Sequence, residues 1–317
     1  MADARVGVYG GAALAAYGFG HGHPLGPDRH EAFWCALERE GLASRITRLA
    51  PVAADRAALA LFHTPRYLDF VAARCAAGVG YLDGGDTPAQ RGLDAACAVV
   101  VGSTLDACRR VLSDELARAF VPVAGLHHAG RDHAAGFCVY DDCGVAIEWL
   151  RTQGVRRIAY VDIDAHHADG VFHAFEDDPE LLFADLHQDG ETLYPGTGAA
   201  DETGRGAARG TKLNRPLAPG ADDRAFHAAW AEVEAFLAAT PPEFILFQCG
   251  ADSIAGDPLT QLRLTPAAHA HAADRLCAIA KQCGARGPVA LGGGGYDHAN
   301  VAAAWTGVVR ALLTAPA

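Results

Sequence analysis

The residues with the most chemistry to offer lie in the stretch Tyr160-Val161-Asp162-Ile163-Asp164-Ala165-His166-His167-Ala168-Asp169-Gly170. Ile158, Tyr160, Val161 and Ile163 are strand formers. Side chains two apart along an extended chain share a face, so Asp162, Asp164 and His166 are expected to project from one side of a strand end. Ionisable groups crowded in this way need a cation or hydrogen-bond partners. Asp252 follows another apolar run at 244–249. Two carboxylates and an imidazole from different strand ends suit a divalent metal with open coordination positions. The expected ligands are Asp164, His166 and Asp252, although spacing alone does not choose between Asp162 and Asp164. The oxygen-rich set admits Zn²⁺, Fe²⁺, Co²⁺ or Mn²⁺. Such a metal polarises a carbonyl and activates water.

His127 and His128 stand in tandem just past a further strand pattern. An imidazole that moves protons needs a partner to fix its tautomer, and Asp162 and Asp169 are the spare carboxylates. The expectation is two Asp–His dyads beside an activated water, one His taking its proton and later giving it to the leaving group. Gly292-Gly-Gly-Gly295-Tyr296 lacks the glycine spacing and Lys-Ser/Thr pair of a phosphate loop. A backbone this thin would instead bring the Tyr296 hydroxyl to a reacting oxygen. No Ser or Cys nucleophile stands at a strand end, so direct attack by water on an amide or ester is expected.

The elements that must position these groups alternate from residue 119 onward. Strands are expected at 119–125, 158–164, 182–186, 244–249 and 289–291, with a first short one at 5–9. Helices are expected at 142–153, 222–239, 266–283 and 299–313, preceded by helices at 29–40, 53–62 and 87–112. Asp28 reads as an N-cap, and Thr265-Pro266 as a cap followed by proline at the first helical position. Strands buried on both faces and joined by helices mean a parallel sheet in an α/β fold, whose sites lie beyond the carboxyl ends of the strands. Nothing in the composition splits the chain, so residues 1–317 read as a single domain.

The 317 residues are 50% hydrophobic and carry a net charge of −12, which argues against nucleic-acid or anionic-membrane binding. Nine cysteines without a C-x-x-C pair read as reduced thiols in a cytoplasmic protein. The amino terminus carries no signal-peptide pattern.

Taken together, His23-Pro24…Pro27-Asp-Arg29, Phe62-His-Thr-Pro-Arg-Tyr67, Gly125-Leu-His-His-Ala129, Gly136-Phe-Cys138, Asp162 to Gly170, Tyr194-Pro-Gly-Thr-Gly198, Gly250-Ala-Asp252 with Gly256-Asp-Pro258, and Leu291 to Tyr296 resemble the zinc-dependent histone deacetylase family. That family includes bacterial acetoin-utilisation-type deacetylases and acetylpolyamine amidohydrolases. The resemblance implies an arginase/deacetylase-like α/β/α fold with a mostly parallel sheet of about eight strands. It implies Zn²⁺ on Asp164, His166 and Asp252, an acid/base pair His127 and His128 backed by Asp162 and Asp169, and Tyr296 on the substrate carbonyl. Phe137, Tyr194, Gly136 and Gly294 would line the tunnel for an acyl-lysine stem, and Arg29 would lie near an acetate channel. A structural K⁺ or Na⁺ would use Asp162, Asp185 and the backbone carbonyls of Asp164, His166 and Leu186. A second monovalent ion would lie near Phe175. Asp86 or Asp94 would be the acid at the tunnel mouth. Ala168, Asp141 and Asp185 depart from the usual Gly, Asn and Ser.

The implied activity is removal of acetate from acetyl-lysine in proteins or peptides. The alternatives are an acetylated polyamine or other small amide as substrate, and a silent acyl-lysine binding module. An arginase-type site with two Mn²⁺ would need a further Asp-x-Asp pair, whereas Asp252 is followed by Ser253 and Ile254.

Overall fold

The computed structural model describes residues 5–20 and 22–315. Residues 1–4, in which no signal pattern is read, His21 of the glycine-rich passage and residues 316–317 lie outside the described residues. Eight strands form one sheet: β1 (Val6–Tyr9), β2 (Thr47–Leu49), β3 (Arg118–Val121), β4 (Ile158–Asp162), β5 (Leu181–Gln188), β6 (Lys212–Leu217), β7 (Phe244–Gln248) and β8 (Arg286–Leu291). Their order is β2-β1-β3-β8-β7-β4-β5-β6, and every neighbouring pair is parallel.

Both faces are covered, which is why the central strands read as continuous apolar runs. Tyr160, Phe183, Leu246 and Val289 point to one core, packed by the helices Leu93–Leu112 and Asp142–Thr152. Val161, Leu182, Phe247 and Ala290 point to the other, packed by Asp28–Arg39, Asp223–Ala239, Pro266–Cys283 and His298–Thr314. The period-two alternation of a strand thus divides each run between two cores. All nine cysteines are free, and seven are buried.

The register sets the site. Val121 lies opposite Leu291, Leu291 opposite Gln248, Gln248 opposite Asp162, and Asp162 opposite Asp185. The carboxyl ends of β3, β8, β7 and β4 are therefore level, β5 runs three residues further to Gln188, and all five open on one edge.

Several boundaries differ from the sequence expectations. β3 stops at Val121 because Pro122 has no N–H for the ladder. β4 stops at Asp162, so Asp164 and His166 lie in the following loop rather than along one strand face. The helix expected at 53–62 is a single turn, Arg56–Leu59. The one expected at 87–112 starts at Leu93, because Asp83 Oδ1 accepts the N–H groups of Gly85, Asp86 and Thr87 and fixes a turn ahead of it. Asp28 is the first helical residue and not the cap, which is Pro27. Thr265 does cap Pro266–Cys283, accepting from Ala267 N.

Candidate metal centre and active site

Asp164, His166 and Asp252 are brought together from two loops and are all buried. Their nearest ligand atoms lie within 4.8 Å of one another, and among the described residues they are the sole cluster of this kind. Asp164 Oδ1 and Asp252 Oδ2 each stand 3.1 Å from His166 Nδ1. The loop is folded to hold them. Asp164 accepts the His166 N–H on Oδ1, and the Gly294 N–H and Gln248 Nε2 on Oδ2, both at 2.8 Å. Asp252 Oδ1 accepts the Ala165 N–H at 2.8 Å. A Cβ at Gly250 would collide with the Asp164 carboxylate, and one at Gly294 with that of Asp252, so both glycines are needed for this close approach.

This donor set fits a divalent cation. Burial alone would lower the His166 pKa, but Asp164 and Asp252 outweigh it and raise it to about 10. Burial and then the Asp164 charge push the Asp252 carboxyl up. The pocket thus calls for positive charge where the three ligand atoms meet, which a proton or a metal ion supplies.

Both expected Asp–His dyads form. His127 Nδ1 is 2.8 Å from Asp162 Oδ2, and His128 Nδ1 is 2.6 Å from Asp169 Oδ1. The two rings are 4.2 Å apart. Asp169 opens the helix Asp169–Phe175, whose Val171 N–H donates to the His127 carbonyl, tying that helix to the tandem histidines. Asp162 also accepts the Tyr160 hydroxyl and the Asp164 N–H.

The remaining expected residues surround this core. Tyr296 is held by its own N–H, which donates to Asp257 Oδ2 at 2.8 Å, and burial keeps its phenol protonated far above the usual range. Its ring is 6.0 Å from that of Phe137. Gly136 and Gly294 line a narrow cavity that also touches His127, His128, His166 and Tyr296. Tyr194 lies edge-on to His128 at 5.1 Å and is 45% exposed, placing it where the site meets solvent. Arg29 is buried; its guanidinium donates to the Gly293 carbonyl and lies 5.2 Å from the Trp305 ring, while Nε has no hydrogen-bond partner. Asp185 engages His187 Nδ1 at 2.8 Å and accepts the Ala168 N–H at 2.9 Å. The Leu186 side chain is buried in the second core.

Of the two acids considered for the tunnel mouth, Asp86 is the one near the site. Its carboxylate accepts from Thr87 Oγ1, which in turn accepts the Phe137 N–H, and its carbonyl is 3.1 Å from His23 Nε2. The His23 ring packs 4.5 Å from Phe137. Asp94 sits instead in the first turn of Leu93–Leu112.

Sequence reasoning assigned no role to Gln248, nor to Asp257 of the Gly256-Asp-Pro258 segment. Gln248 joins Asp164, the Gly125 carbonyl and the Gly250 N–H, and so fixes three loops at once. A glutamine ending the apolar run Phe244-Ile-Leu-Phe was the available signal, since a buried amide needs partners.

The family described as histone deacetylase domain matches residues 23–312. The acetoin utilization protein AcuC of Bacillus subtilis is 36% identical over 264 residues, covering 78% of this chain and 66% of that protein. Histone deacetylase 6 of Arabidopsis thaliana is 30% identical over 312 residues, 95% of this chain and 65% of its own length. This chain thus spans just under two thirds of both. Histone deacetylase 8 of Danio rerio is 32% identical, with 90% and 76% covered. The crystal structure of the HDA15 HD domain superposes with a TM-score of 0.89 at 28% identity, covering 98% of this chain and 89% of that one.

Proposed function

The chain belongs to the histone deacetylase family, and from that premise we propose that it hydrolyses the amide of Nε-acetyl-lysine in proteins or peptides, releasing acetate, with Zn²⁺ held by Asp164, His166 and Asp252. Fe²⁺ or Co²⁺ would suit the same ligands. The observation that carries this reading is the convergence of that ligand set with two Asp–His dyads and a buried, protonated tyrosine. When bound, the metal supplies Lewis-acid polarisation and lowers the pKa of water from 15.7 towards about 7.

The chain's own residues divide the remaining work. Burial and the positive His127 hold the His128 pKa down, leaving it neutral and able to accept a proton. Water attacks the amide carbon while His128 takes its proton. His128 then returns that proton to the amide nitrogen as the C–N bond breaks, freeing acetate and the lysine amine. His127 keeps its charge, because Asp162 and Asp164 outweigh burial and raise its pKa to about 10. It therefore offsets negative charge that develops on the substrate oxygen, to which Tyr296 donates a hydrogen bond. Gly136, Gly294, Phe137 and Tyr194 form the passage for the acyl-lysine stem, Asp86 accepts a substrate N–H at its mouth, and Arg29 marks the exit for acetate. One structural K⁺ or Na⁺ is part of this reading. The paired positions of Asp162 and Asp185 concentrate negative charge beside Asp164, and the Leu186 carbonyl would add to the oxygens there. The domain spans the chain as one unit in the cytoplasm; no described helix is long and apolar enough to cross a membrane.

A second reading, an acetylated polyamine or other small amine as substrate, has one observation in its favour. Asp83 and Asp86 share one turn near the mouth, Asp83 Oδ1 accepting the Asp86 N–H, and two neighbouring carboxyl groups suit a cationic amine. A silent acyl-lysine binding module would not need the intact ligand set and Tyr296. Zinc-loaded protein assayed on an acetyl-lysine peptide beside N-acetylputrescine separates these readings. The expected result is higher kcat/KM on the peptide. Inertness towards both at full metal occupancy would overturn the hydrolase reading.

A further inference from the structure

Lys212 is a charged residue in a place where charges are rarely tolerated. It opens β6, yet it is 2% exposed. Its ammonium donates to the carbonyls of Asp178 and Leu181, both at 2.8 Å, and to Thr211 Oγ1 at 2.9 Å. Three protons thus meet three oxygens, which accounts for the full donor capacity of a lysine. Asp178 lies in the turn that leads from Phe175, the last residue of the helix Asp169–Phe175, into β5, and Leu181 is the first residue of that strand. Three further carbonyls there are engaged elsewhere: Phe175 O accepts the Asp178 N–H, Glu176 O the Arg205 N–H and Glu180 O the Ile158 N–H. On the outside of the turn, Arg151 pairs with the Asp178 and Glu180 carboxylates.

A cage of backbone carbonyls and a hydroxyl at the negative end of a helix is the kind of place where a monovalent cation binds. The family resemblance leads one to expect a second such ion near Phe175. We infer that Lys212 is a tethered cation: its ammonium fills that position, the chain binds no ion there, and the ammonium holds in place the helix that presents Asp169 to His128. The helix is then fastened at both ends, by Asp169 on His128 and by Lys212 on the turn. Burial lowers the Lys212 pKa to about 8, so the ammonium remains mostly charged at neutral pH. Lys212 is a positioning residue in this account. Its effect on turnover rests on the role proposed for His128, whereas the exclusion of an ion does not.

Two measurements test the inference. Crystals of the unaltered protein soaked in rubidium chloride should show no anomalous peak beside the Asp178 and Leu181 carbonyls; a peak there would overturn it. Lys212→Ala should melt several degrees lower than the unaltered protein in choline chloride and recover most of that loss in potassium or ammonium chloride of equal ionic strength. The response of the unaltered protein to the same salts serves as the baseline. The variant's kcat should fall about tenfold, as is usual for the loss of a supporting partner, with little change in KM and with recovery in the same two salts. Recovery that is absent, or equal in choline chloride, would overturn the inference. If Lys212→Ala gives no folded chain, the rubidium map decides alone.

Discussion

His127 and His128 are neighbours in sequence, their rings are 4.2 Å apart, and each leans on an aspartate, yet their surroundings oppose each other. Both rings line the same narrow cavity, and the difference lies in the charges around them. Asp162 and Asp164 lie around His127, and the charge of Asp185 also reaches it, so it stays protonated despite burial. His128 has Asp169 as its hydrogen-bonded acid. Burial and the positive charge of His127 outweigh Asp169 and hold it neutral. In the proposed mechanism one residue type, repeated, thus supplies both a fixed positive charge and an open base. A catalytic role belongs to the field around a side chain as much as to its chemistry. Two titratable groups whose surroundings push their pKa values apart are how one site carries acid and base at one pH.

The largest expected effect comes from removing the open base. His128→Ala should lower kcat/KM by about 10³-fold, within the range for a positioned general base. His127→Ala should lower it by about 10²-fold, the scale of one lost electrostatic donor. Equal or reversed losses, measured with metal occupancy matched, would break the division of roles.

Next is Tyr296→Phe, which should retain metal while kcat falls at least ~100-fold. Near-normal turnover would leave His127 as the only source of oxyanion stabilisation among these residues.

A smaller and more diagnostic effect concerns pH. The acidic limb of kcat/KM should lie below the ordinary histidine value of 6.5, because the His128 pKa is lowered. As pH falls through that limb, His128 takes up a proton and ceases to be a base. The Asp169 charge favours that proton, so Asp169→Asn should move the limb to still lower pH while kcat drops about tenfold. A limb that stays in place would detach His128 from the proton transfer.

The smallest effect lies at the mouth. Asp86→Ala should raise KM for an acetyl-lysine peptide several-fold, whereas Asp94→Ala should leave the kinetics unchanged. The opposite pattern would shift substrate grip to the start of the helix Leu93–Leu112.

Much of this arrangement is legible in the sequence, and the exceptions have physical causes. Pro266–Cys283 is read to the residue because a Thr-Pro start and a left-handed Gly284 mark both ends. The helix Pro65–Ala77 carries the same signals, a Thr-Pro start, a Gly78 stop and an apolar stripe of Tyr67, Leu68, Val71 and Cys75, yet is missing from the expected elements. β6 escapes notice because Lys212, Asn214, Arg215 and Pro216 are poor strand residues; an edge position tolerates the proline, and Lys212 finds oxygens inside. The short helix Asp169–Phe175 begins within the ligand-rich stretch, where polar chemistry masks periodicity.

At the site, the resemblance names residues that spacing alone leaves open. The choice of Asp164 over Asp162 is one such case, and the fold supplies its reason. Asp162 ends β4 and turns to His127, whereas Asp164 lies in the loop that reaches His166 and Asp252. Gln248 and Asp257 act through loops that close only in three dimensions, so an amide after an apolar run and an aspartate in Gly256-Asp-Pro258 mark the positions without naming their partners.

The central claim is that one divalent ion, gripped by Asp164, His166 and Asp252, is required for amide hydrolysis. The direct measurement is a metal titration of chelator-stripped protein, followed by deacetylation of an acetyl-lysine peptide and by metal analysis. The account predicts no turnover without metal, full turnover at one equivalent of Zn²⁺ per chain, and loss of both bound metal and activity in Asp252→Ala. Turnover by the stripped protein, or a full equivalent of metal retained by Asp252→Ala, would contradict it.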